Sequence, residues 1–260
     1  MCSYSQKDIK LAIDKLNLRK KDIVYVSGNI INFGIPNFNK INDLPKVFFD
    51  TLFKKIGKKG TIVFPTHSFY LVNSNNIFNP KNTLSNSGAF SNYLIKKKKI
   101  YRQQHPYASI SAVGADAKYI VDYDYGDVYG EDCPWSKLIK KKAKFLSLGL
   151  SINTNCTQVH FVEKKFNVPY RYDKIFQHRV KFKKKIVKKK FTMFVLKKKY
   201  KNFKRNKNKI IIDDFIKNYK IQKIKLGKDW IYLYDLKNFY NNTCKLFKEN
   251  IHTWSGKKIY

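Results

Sequence analysis

The spacing of apolar residues predicts alternating helices and strands in the first quarter of the chain. An apolar stripe at helical spacing covers residues 5–16, where Ser5 and Asp8 have the spacing of a capping box. Residues 23–26 form a short apolar run that ends at a serine and a glycine, typical of a buried strand opening onto a loop. The same order of helix and strand recurs over residues 44–56 and 61–64. Short connections between these elements predict an α/β domain with a partly parallel sheet.

The middle of the chain continues this alternation around one long polar stretch. Residues 70–84 are rich in Asn, Ser and Pro, and we predict an irregular loop there. Long irregular loops in compact domains are often functional. The apolar pattern predicts helices over residues 88–95 and 160–166 and strands over residues 110–113 and 145–148.

The composition changes after residue 176, where lysine runs become dense. Aromatic and β-branched residues punctuate residues 180–196, and this pattern indicates one or two strands with lysine-coated faces. The remaining pattern predicts a helix at 210–219, short strands at 223–226 and 230–234, and a closing helix at 236–250. We therefore expect a three-layer α/β/α arrangement around a mixed sheet, with a smaller β-rich C-terminal part. Residues 1–176 would form the core, and residues 177–260 a lysine-rich part of the same domain.

The charge of the chain is extreme but is carried almost entirely by lysine. The formal net charge is +36, and only five of the 54 basic residues are arginines. Specific recognition of bases and phosphates favours arginine, so the composition does not predict a specific nucleic-acid partner. The joint excess of Lys, Asn, Ile, Tyr and Phe is what AT-rich codons produce. Non-specific attraction to anionic surfaces is still expected, and salt should weaken it.

The cysteines, the N-terminal residues and the length of the apolar runs indicate neither a metal site nor a membrane segment. Four widely spaced cysteines form no Cys-x-x-Cys pair, so neither a zinc site nor a disulfide framework is indicated, and no metal is expected. Residues 1–10 are polar, and no apolar run reaches the roughly 20 residues that span a bilayer. A reducing cytoplasm is the expected location.

The segment Thr157–Glu163 carries the clearest chemical candidate. His160 and Glu163 are three residues apart, so a helix places them on the same face. Histidine accepts protons near neutral pH, and a neighbouring carboxylate fixes its tautomer and stabilises the imidazolium. The pair is therefore a candidate general base. A half-buried histidine with a structural role on this helix is the alternative.

Four segments occur in an order that resembles the aminoglycoside 3-N-acetyltransferase family. They are Gly60–Ser68, Arg102–Gly114 (which contains a His-Pro-x-x-Ser sequence), Gly130–Leu138, and Leu148–Gly149 followed by Cys156–Glu163. The resemblance covers about residues 5–176 well and the remainder in outline. It implies transfer of acetyl from acetyl-coenzyme A (acetyl-CoA), the expected co-substrate, to an amine of a sugar.

The resemblance also implies roles for individual residues. His160 would deprotonate the attacking amine, Glu163 would orient and support the imidazole, and Thr157 would position the acetyl group. A helix N-cap is the structural alternative for Thr157. The residues assigned to the cofactor are Ser27, Thr66, Ser68, Arg102, His105 and Ser109. For His105 the alternative is a structural turn, because Pro106 forces the preceding residue into extended geometry.

Two positions depart from the family pattern. The turn after the first strand, usually rich in His and Ser, keeps only Ser27, which weakens the claim of cofactor contacts there. Cys156 stands where Asn is frequent in the family. A nucleophilic role for Cys156 beside His160 is conceivable, although a buried packing role is the commoner fate of such a cysteine.

The acid-poor composition bears on the acceptor. Aminoglycosides are polycations, whereas this chain has 18 acidic residues against 54 basic ones. We therefore expect an anionic amino sugar, such as a nucleotide-linked precursor of a surface glycan, as the small-molecule partner. The alternatives are an aminoglycoside-modifying enzyme, a non-enzymatic polyanion-binding protein, and a metal-dependent hydrolase that uses His105, His160 and Glu163. The sequence does not predict the oligomeric state.

Overall fold

The computed structural model describes residues 3–38, 41–97, 99–123, 126–200 and 209–255. Its helices are α1 Gln6–Asp14, α2 Leu44–Ile56, α3 Ala89–Ile95, α4 Ala117–Val121, α5 Pro134–Lys140, α6 Val159–Lys165, α7 Ile210–Asn218 and α8 Leu236–Glu249. Its strands are β1 Ile23–Gly28, β2 Thr61–Pro65, β3 Tyr101–Arg102, β4 Ile110–Gly114, β5 Lys144–Leu148, β6 Arg171–Phe182, β7 Lys185–Leu196, β8 Gln222–Leu226 and β9 Asp229–Asp235.

Within the described residues, seven strands form one mixed sheet in the order β3-β4-β2-β1-β5-β9-β8. β1 is central and runs parallel to both β2 and β5, as the helix-strand alternation predicts. The outer pairs β2-β4, β3-β4, β5-β9 and β8-β9 are antiparallel. The carboxyl ends of β1, β2 and β5 therefore meet at one edge, where ligands of α/β folds commonly bind.

Helices cover both faces of this sheet, which confirms the predicted three-layer α/β/α arrangement. Side chains of β1 alternate between the faces: Val24 and Val26 join the core under α1, α2 and α3, whereas Ile23 and Tyr25 join the opposite core. The opposite core also contains buried residues of α4 to α8. β1 is apolar on both sides because both faces are covered.

Local signals in the sequence set several element boundaries. Ser5 and Asp8 form the expected capping box at the start of α1. Gly57 ends α2 with a φ of 73°, a conformation that a residue with a Cβ seldom adopts.

The lysine-rich segment forms a hairpin that begins earlier than its sequence indicates. β6 starts at Arg171, nine residues before the predicted strand, and pairs along its whole length with β7. The two strands turn at Lys183, which has a φ of 53° without being Gly or Asn, so the usual turn signal is missing. One face of the hairpin packs Val180 and Phe191 against Phe78 and Tyr107. Phe78 belongs to the long polar loop, and Tyr107 lies between β3 and β4.

The residues after the hairpin return to the main sheet. β9 pairs with β5 and β8 pairs with β9, so that β8 forms one edge of the sheet, and α7 and α8 pack on the same core as α6. The division at residue 176 and the integral C-terminal part remain predictions. Among the described residues, no helix is long and apolar enough to cross a bilayer.

Candidate active site

A cleft of about 400 Å³ opens where the carboxyl ends of β1, β2 and β5 meet. Ser27 and Gly28 line it from β1, Pro65 and His67 from the end of β2, and Leu150 from the loop after β5. Its remaining lining residues are Tyr25, Asn29, Phe69, Asn86, Ser87, Gly88 and Thr157. Over the part of the chain that the structure describes, this lining contains hydroxyls, amides, apolar groups and the imidazole of His67, but neither a carboxylate nor a lysine or arginine side chain.

Close backbone approach at the base of the cleft explains Gly28. Its φ is 139°, and a Cβ on this residue would lie 2.0 Å from the carbonyl oxygen of Leu148. Glycine therefore lets β1 and β5 remain paired up to the cleft edge. The adjacent Ser27 hydroxyl donates to Oδ1 of Asn155 at 3.0 Å, which ties β1 to the loop that precedes α6.

α6 begins one residue after Gln158 and carries the predicted His-x-x-Glu pair. Nδ1 of His160 is hydrogen-bonded to Oε2 of Glu163, so helical spacing brings the two side chains together. The imidazole is 18% exposed, whereas the Glu163 side chain is fully buried. Thr157 lines the cleft one turn before His160. It does not cap α6, because Gln158 is the N-cap residue and makes no side-chain capping bond.

Glu163 is buried yet held in its ionised form. Burial by itself raises the pKa of the carboxyl, but attraction to His160 when its ring is protonated, the hydrogen bond from that ring and the charge of Arg171 outweigh that effect and lower the pKa below its ordinary value. Nε of Arg171 lies 2.8 Å from Oε2 of Glu163. The carboxylate therefore has a cationic neighbour in addition to the imidazole.

Arg171 is a site residue that the sequence did not reveal. It is the first residue of β6, lies eight residues after Glu163 and is 7% exposed. Helical periodicity predicts neighbours three or four positions away and cannot predict a contact made by the next element. The one available signal was that Arg171 is an arginine in a chain with only five arginines among 54 basic residues.

Five of the residues assigned to the cofactor lie outside the cleft lining, four of them buried and Arg102 partly buried. Arg102 donates from Nη2 to the carbonyl oxygen of Thr66 at 2.7 Å and to Oγ of Ser68 at 3.0 Å. Its Nε donates to Oγ of Ser109 at 3.0 Å, and Oγ1 of Thr66 lies 3.1 Å from the same Oγ. The structure thus brings Thr66, Ser68, Arg102 and Ser109 together, but outside the cleft lining. Their contacts with the cofactor remain a prediction.

His105, the fifth of these residues, connects β4 with the hairpin. Its Nδ1 accepts hydrogen bonds from the amides of Tyr107 and Ala108 at 3.3 and 3.1 Å, and Nε2 lies 3.3 Å from the carbonyl oxygen of Thr192. Nδ1 is therefore the acceptor, and Nε2 carries the proton. The geometry fits the structural-turn alternative, and the cofactor contact remains a prediction.

Burial of His105 gives a prediction for the pH dependence of stability. Burial lowers its pKa to about 4, against 6.5 for the ordinary side chain. Between these values the unfolded chain binds a proton that the folded chain does not, so stability falls as pH drops from 6.5 towards 4. This contribution is at most about 1.4 kcal/mol per pH unit. In His105→Asn, whose Oδ1 can accept the same amide bonds, urea midpoints at pH 7 and pH 5 should differ less than in the wild type.

His105 does not meet the pair on α6 in any described contact. Among the described residues, no three His, Cys, Asp or Glu side chains converge in a way that could hold a metal ion. The Cys156 thiol is buried and donates to the carbonyl oxygen of Asn153 at 3.2 Å. These observations favour neither the hydrolase nor the cysteine nucleophile.

Solved structures that share this fold include aminoglycoside acetyltransferases and a protein from Bacillus subtilis. AAC(3)-Xa superimposes with a TM-score of 0.80 at 16% identity, covering 95% of this chain and 93% of that chain. YokD from Bacillus subtilis gives 0.79 at 18% identity, covering 97% and 96%. AAC-IIIb, solved as a binary complex with CoASH, gives 0.78 at 18% identity, covering 99% and 100%.

The sequence itself matches a family profile over most of its length. The profile of aminoglycoside 3-N-acetyltransferases matches residues 31–248, whereas no curated protein matches the chain. The profile spans most of the cleft, α6, the hairpin and most of α8. This chain therefore belongs to the aminoglycoside 3-N-acetyltransferase family and is an acetyl-CoA-dependent N-acetyltransferase.

Proposed function

We propose that this protein transfers acetyl from acetyl-CoA to an amine of an anionic amino sugar, with His160 as the general base. The observation that carries the proposal is the bond between Nδ1 of His160 and the buried carboxylate of Glu163. That bond fixes the neutral tautomer with the proton on Nδ1, which leaves Nε2 as the basic nitrogen. Thr157, one turn before His160, connects this pair with the cleft.

The geometry supports a direct transfer. Nε2 of His160 takes a proton from the sugar ammonium, and the freed amine attacks the carbonyl carbon of the thioester. The new C–N bond forms, the C–S bond breaks, and the imidazolium returns a proton to the departing thiolate. The second proton that the nitrogen must lose to become an amide leaves to solvent. Glu163 stabilises the imidazolium between these two proton transfers. Thr157 helps to position the acetyl group.

The cleft fits the part of the cofactor that carries the acetyl group. Ser27, Asn29 and Ser87 offer hydrogen-bonding groups that match the amides of a pantetheine arm, and Phe69 and Leu150 offer apolar surface for its methylenes. The described lining has no lysine or arginine for the phosphates, so any ion pair with them lies beyond it. The residues present therefore fit the pantetheine arm. Acetyl-CoA supplies the activated thioester.

Charge around the site favours an anionic acceptor. The described cleft lining contains no carboxylate with which to bind a polycation. The hairpin that begins at Arg171 exposes seven lysines, namely Lys174, Lys181, Lys183, Lys184, Lys185, Lys188 and Lys190. A field of this sign draws anions towards the site and repels cations. The acceptor must offer an amine to be acetylated and a negative charge that this field attracts. A nucleotide-linked amino sugar, used for a surface glycan, has both, because it presents an amine and a diphosphate.

An aminoglycoside acceptor is the second candidate, and the structural relatives favour it. AAC-VIa was solved with sisomicin, and a mutant of AAC(3)-IVa was solved with a gentamicin. Their identities to this chain are 17% and 15%, so these structures establish a shared fold.

An acceptor panel separates the two candidates. We expect kcat/KM for UDP- or dTDP-linked amino sugars to exceed that for free aminoglycosides, and for the same amino sugar without its nucleotide, by about 10- to 1,000-fold at low salt. Raising the salt concentration should reduce this advantage. Coenzyme A thiol release is the readout. Equal or faster transfer to aminoglycosides would contradict the anionic acceptor and support the second candidate.

A further inference from the structure

Arg171 is held in one place by the strand partner of its own hairpin. Nη1 donates to the carbonyl oxygen of Phe194 at 3.2 Å, and the guanidinium lies 5.9 Å from the centre of the Phe194 ring. Phe194 lies diagonally across from Arg171, in register with Asp173. Because Arg171 is nearly fully buried, its guanidinium has little freedom to move away from the pair on α6.

The same carboxylate oxygen faces both nitrogen groups. Oε2 of Glu163 is bonded to Nδ1 of His160 and lies 2.8 Å from Nε of Arg171. Nη2 of Arg171 is 3.3 Å from Nδ1 of His160. A positive charge this close to an imidazole disfavours a second positive charge on the ring. The carboxylate, shared with Arg171, also has less capacity to stabilise an imidazolium than an unshared one.

We propose that Arg171 is a positioning residue that holds the Glu163 carboxylate against His160 and keeps the imidazole in its neutral, basic form. The inference rests on the proposed role of His160 as the base. Without Arg171, the carboxylate would stabilise a protonated His160 ring more strongly, and an imidazolium cannot accept a proton from the acceptor.

The tyrosines near the pair of His160 and Glu163 are uncharged and therefore do not affect the protonation of His160 through a charge. Burial raises the pKa values of Tyr129 and Tyr170, so both phenols are neutral at physiological pH. Asp127 and Cys133 raise the pKa of Tyr129 further through their charges. The centre of the His252 ring lies 6.3 Å from that of the Tyr170 ring.

The groups on the neighbouring elements do not supply such a charge either. Lys164, on the same helix as the pair, is bound to Asp173 of β6. The Trp254 ring, 6.5 Å from the His160 ring in an edge arrangement, carries no charge. Arg171 is therefore the cation that faces the imidazole in the described contacts.

The pH dependence of kcat/KM in Arg171→Gln tests the inference. We expect the midpoint of the acid limb to move to higher pH by about one unit, because the variant lacks the charge that opposes protonation of His160. Arg179→Gln is the matched control, since Arg179 lies on the same strand and the same hairpin face but is exposed. It should leave the limb in place. A thermal melt of each variant reports folding.

Arg171→Lys provides a second variant that keeps the charge and changes the shape of the donor group. We expect its acid limb to stay within about 0.3 pH unit of the wild type while the plateau falls, because lysine cannot reproduce the guanidinium geometry. If Arg171→Gln fails to fold, this variant decides the question. A limb displaced in Arg171→Lys by as much as about one pH unit would then overturn the inference.

His160→Ala in the same experiment separates failure of the inference from failure of the proposed function. If His160→Ala keeps full activity, the limb does not report His160 and the proposed base is wrong. If His160→Ala is inactive but folded Arg171→Gln titrates like the wild type, the role of Arg171 is structural. If the acid limb of Arg171→Gln moves to higher pH and His160→Ala is inactive, the results support both His160 as the base and Arg171 as its positioning residue.

Discussion

Replacing His160 with alanine should lower kcat/KM for acetyl transfer by about 10²- to 10⁴-fold, the usual contribution of a positioned base. Nε2 of His160 is the nitrogen left basic by the Glu163 bond, and alanine removes it. The loss should diminish at high pH, where the acceptor amine loses its proton to solvent. The measurement is initial velocity against pH with the best acceptor, together with the affinity for coenzyme A.

The affinity for coenzyme A should be nearly unchanged in His160→Ala, because His160 does not belong to the cleft lining. His178→Ala is the matched control. This second histidine is buried in the hairpin and packs its ring 5.3 Å from that of Tyr107, on the face that packs against the long loop. A His160→Ala enzyme that remains within about fivefold of the wild type at neutral pH would contradict the role of His160.

Replacing Glu163 with glutamine should both slow the reaction and destabilise the protein. The amide can donate to Nδ1 and so favour the tautomer with its proton on Nε2, which cannot act as the base. The exchange also leaves the buried Arg171 without its counter-ion, and breaking a buried pair in this way typically costs about 3–5 kcal/mol. We therefore expect lower midpoints in urea denaturation and a loss of kcat/KM of about 10²-fold or more.

A control at another carboxyl and a second variant of Glu163 complete this experiment. Glu131→Gln makes the same chemical change at an exposed carboxyl and should alter neither quantity. Glu163→Asp keeps the charge and should retain more stability than Glu163→Gln while losing activity through misalignment. If Glu163→Gln is as stable as the wild type, the ion pair between Glu163 and Arg171 contributes little to stability. The proposal that Arg171 positions the Glu163 carboxylate would then need revision.

The pair on α6 could be predicted because its geometry is local. Residues three apart on a helix meet whatever the remainder of the fold does, and the structure shows that His160 and Glu163 do so. β1 and β2 were predicted for a similar reason, since a continuous apolar run bounded by turn signals has few alternatives. The parallel pairing of the two strands follows from the helix that connects them.

Contacts made by tertiary packing could not be predicted in the same way. Arg171 reaches Glu163 because β6 follows α6 closely, and the spacing along the chain does not encode that approach. Sequence also does not distinguish a hydroxyl that faces a cleft from one that is bonded behind it. Thr66 and Ser109 lie in a buried network, whereas Ser27 lines the cleft, although all three lie near strand ends.

Several short elements were not predicted because they are too short to show a periodic pattern of apolar residues. α4 has five residues, which is too few to show a helical stripe, and α5 has seven, begins at a proline and was not predicted. β3 has two residues and depends on its pairing with β4. The early start of the hairpin was hidden because exposed polar residues alternate irregularly with Tyr172, Ile175 and Phe176.

The most direct test of the account is release of the coenzyme A thiol from acetyl-CoA, followed with and without an amino-sugar acceptor. The wild type should release thiol only when an acceptor is present, in equal amount to the acetylated amine found by mass spectrometry. His160→Ala should bind coenzyme A and release almost none. Thiol release that persists in this variant at the wild-type rate, or a wild type that binds no coenzyme A, would contradict the account.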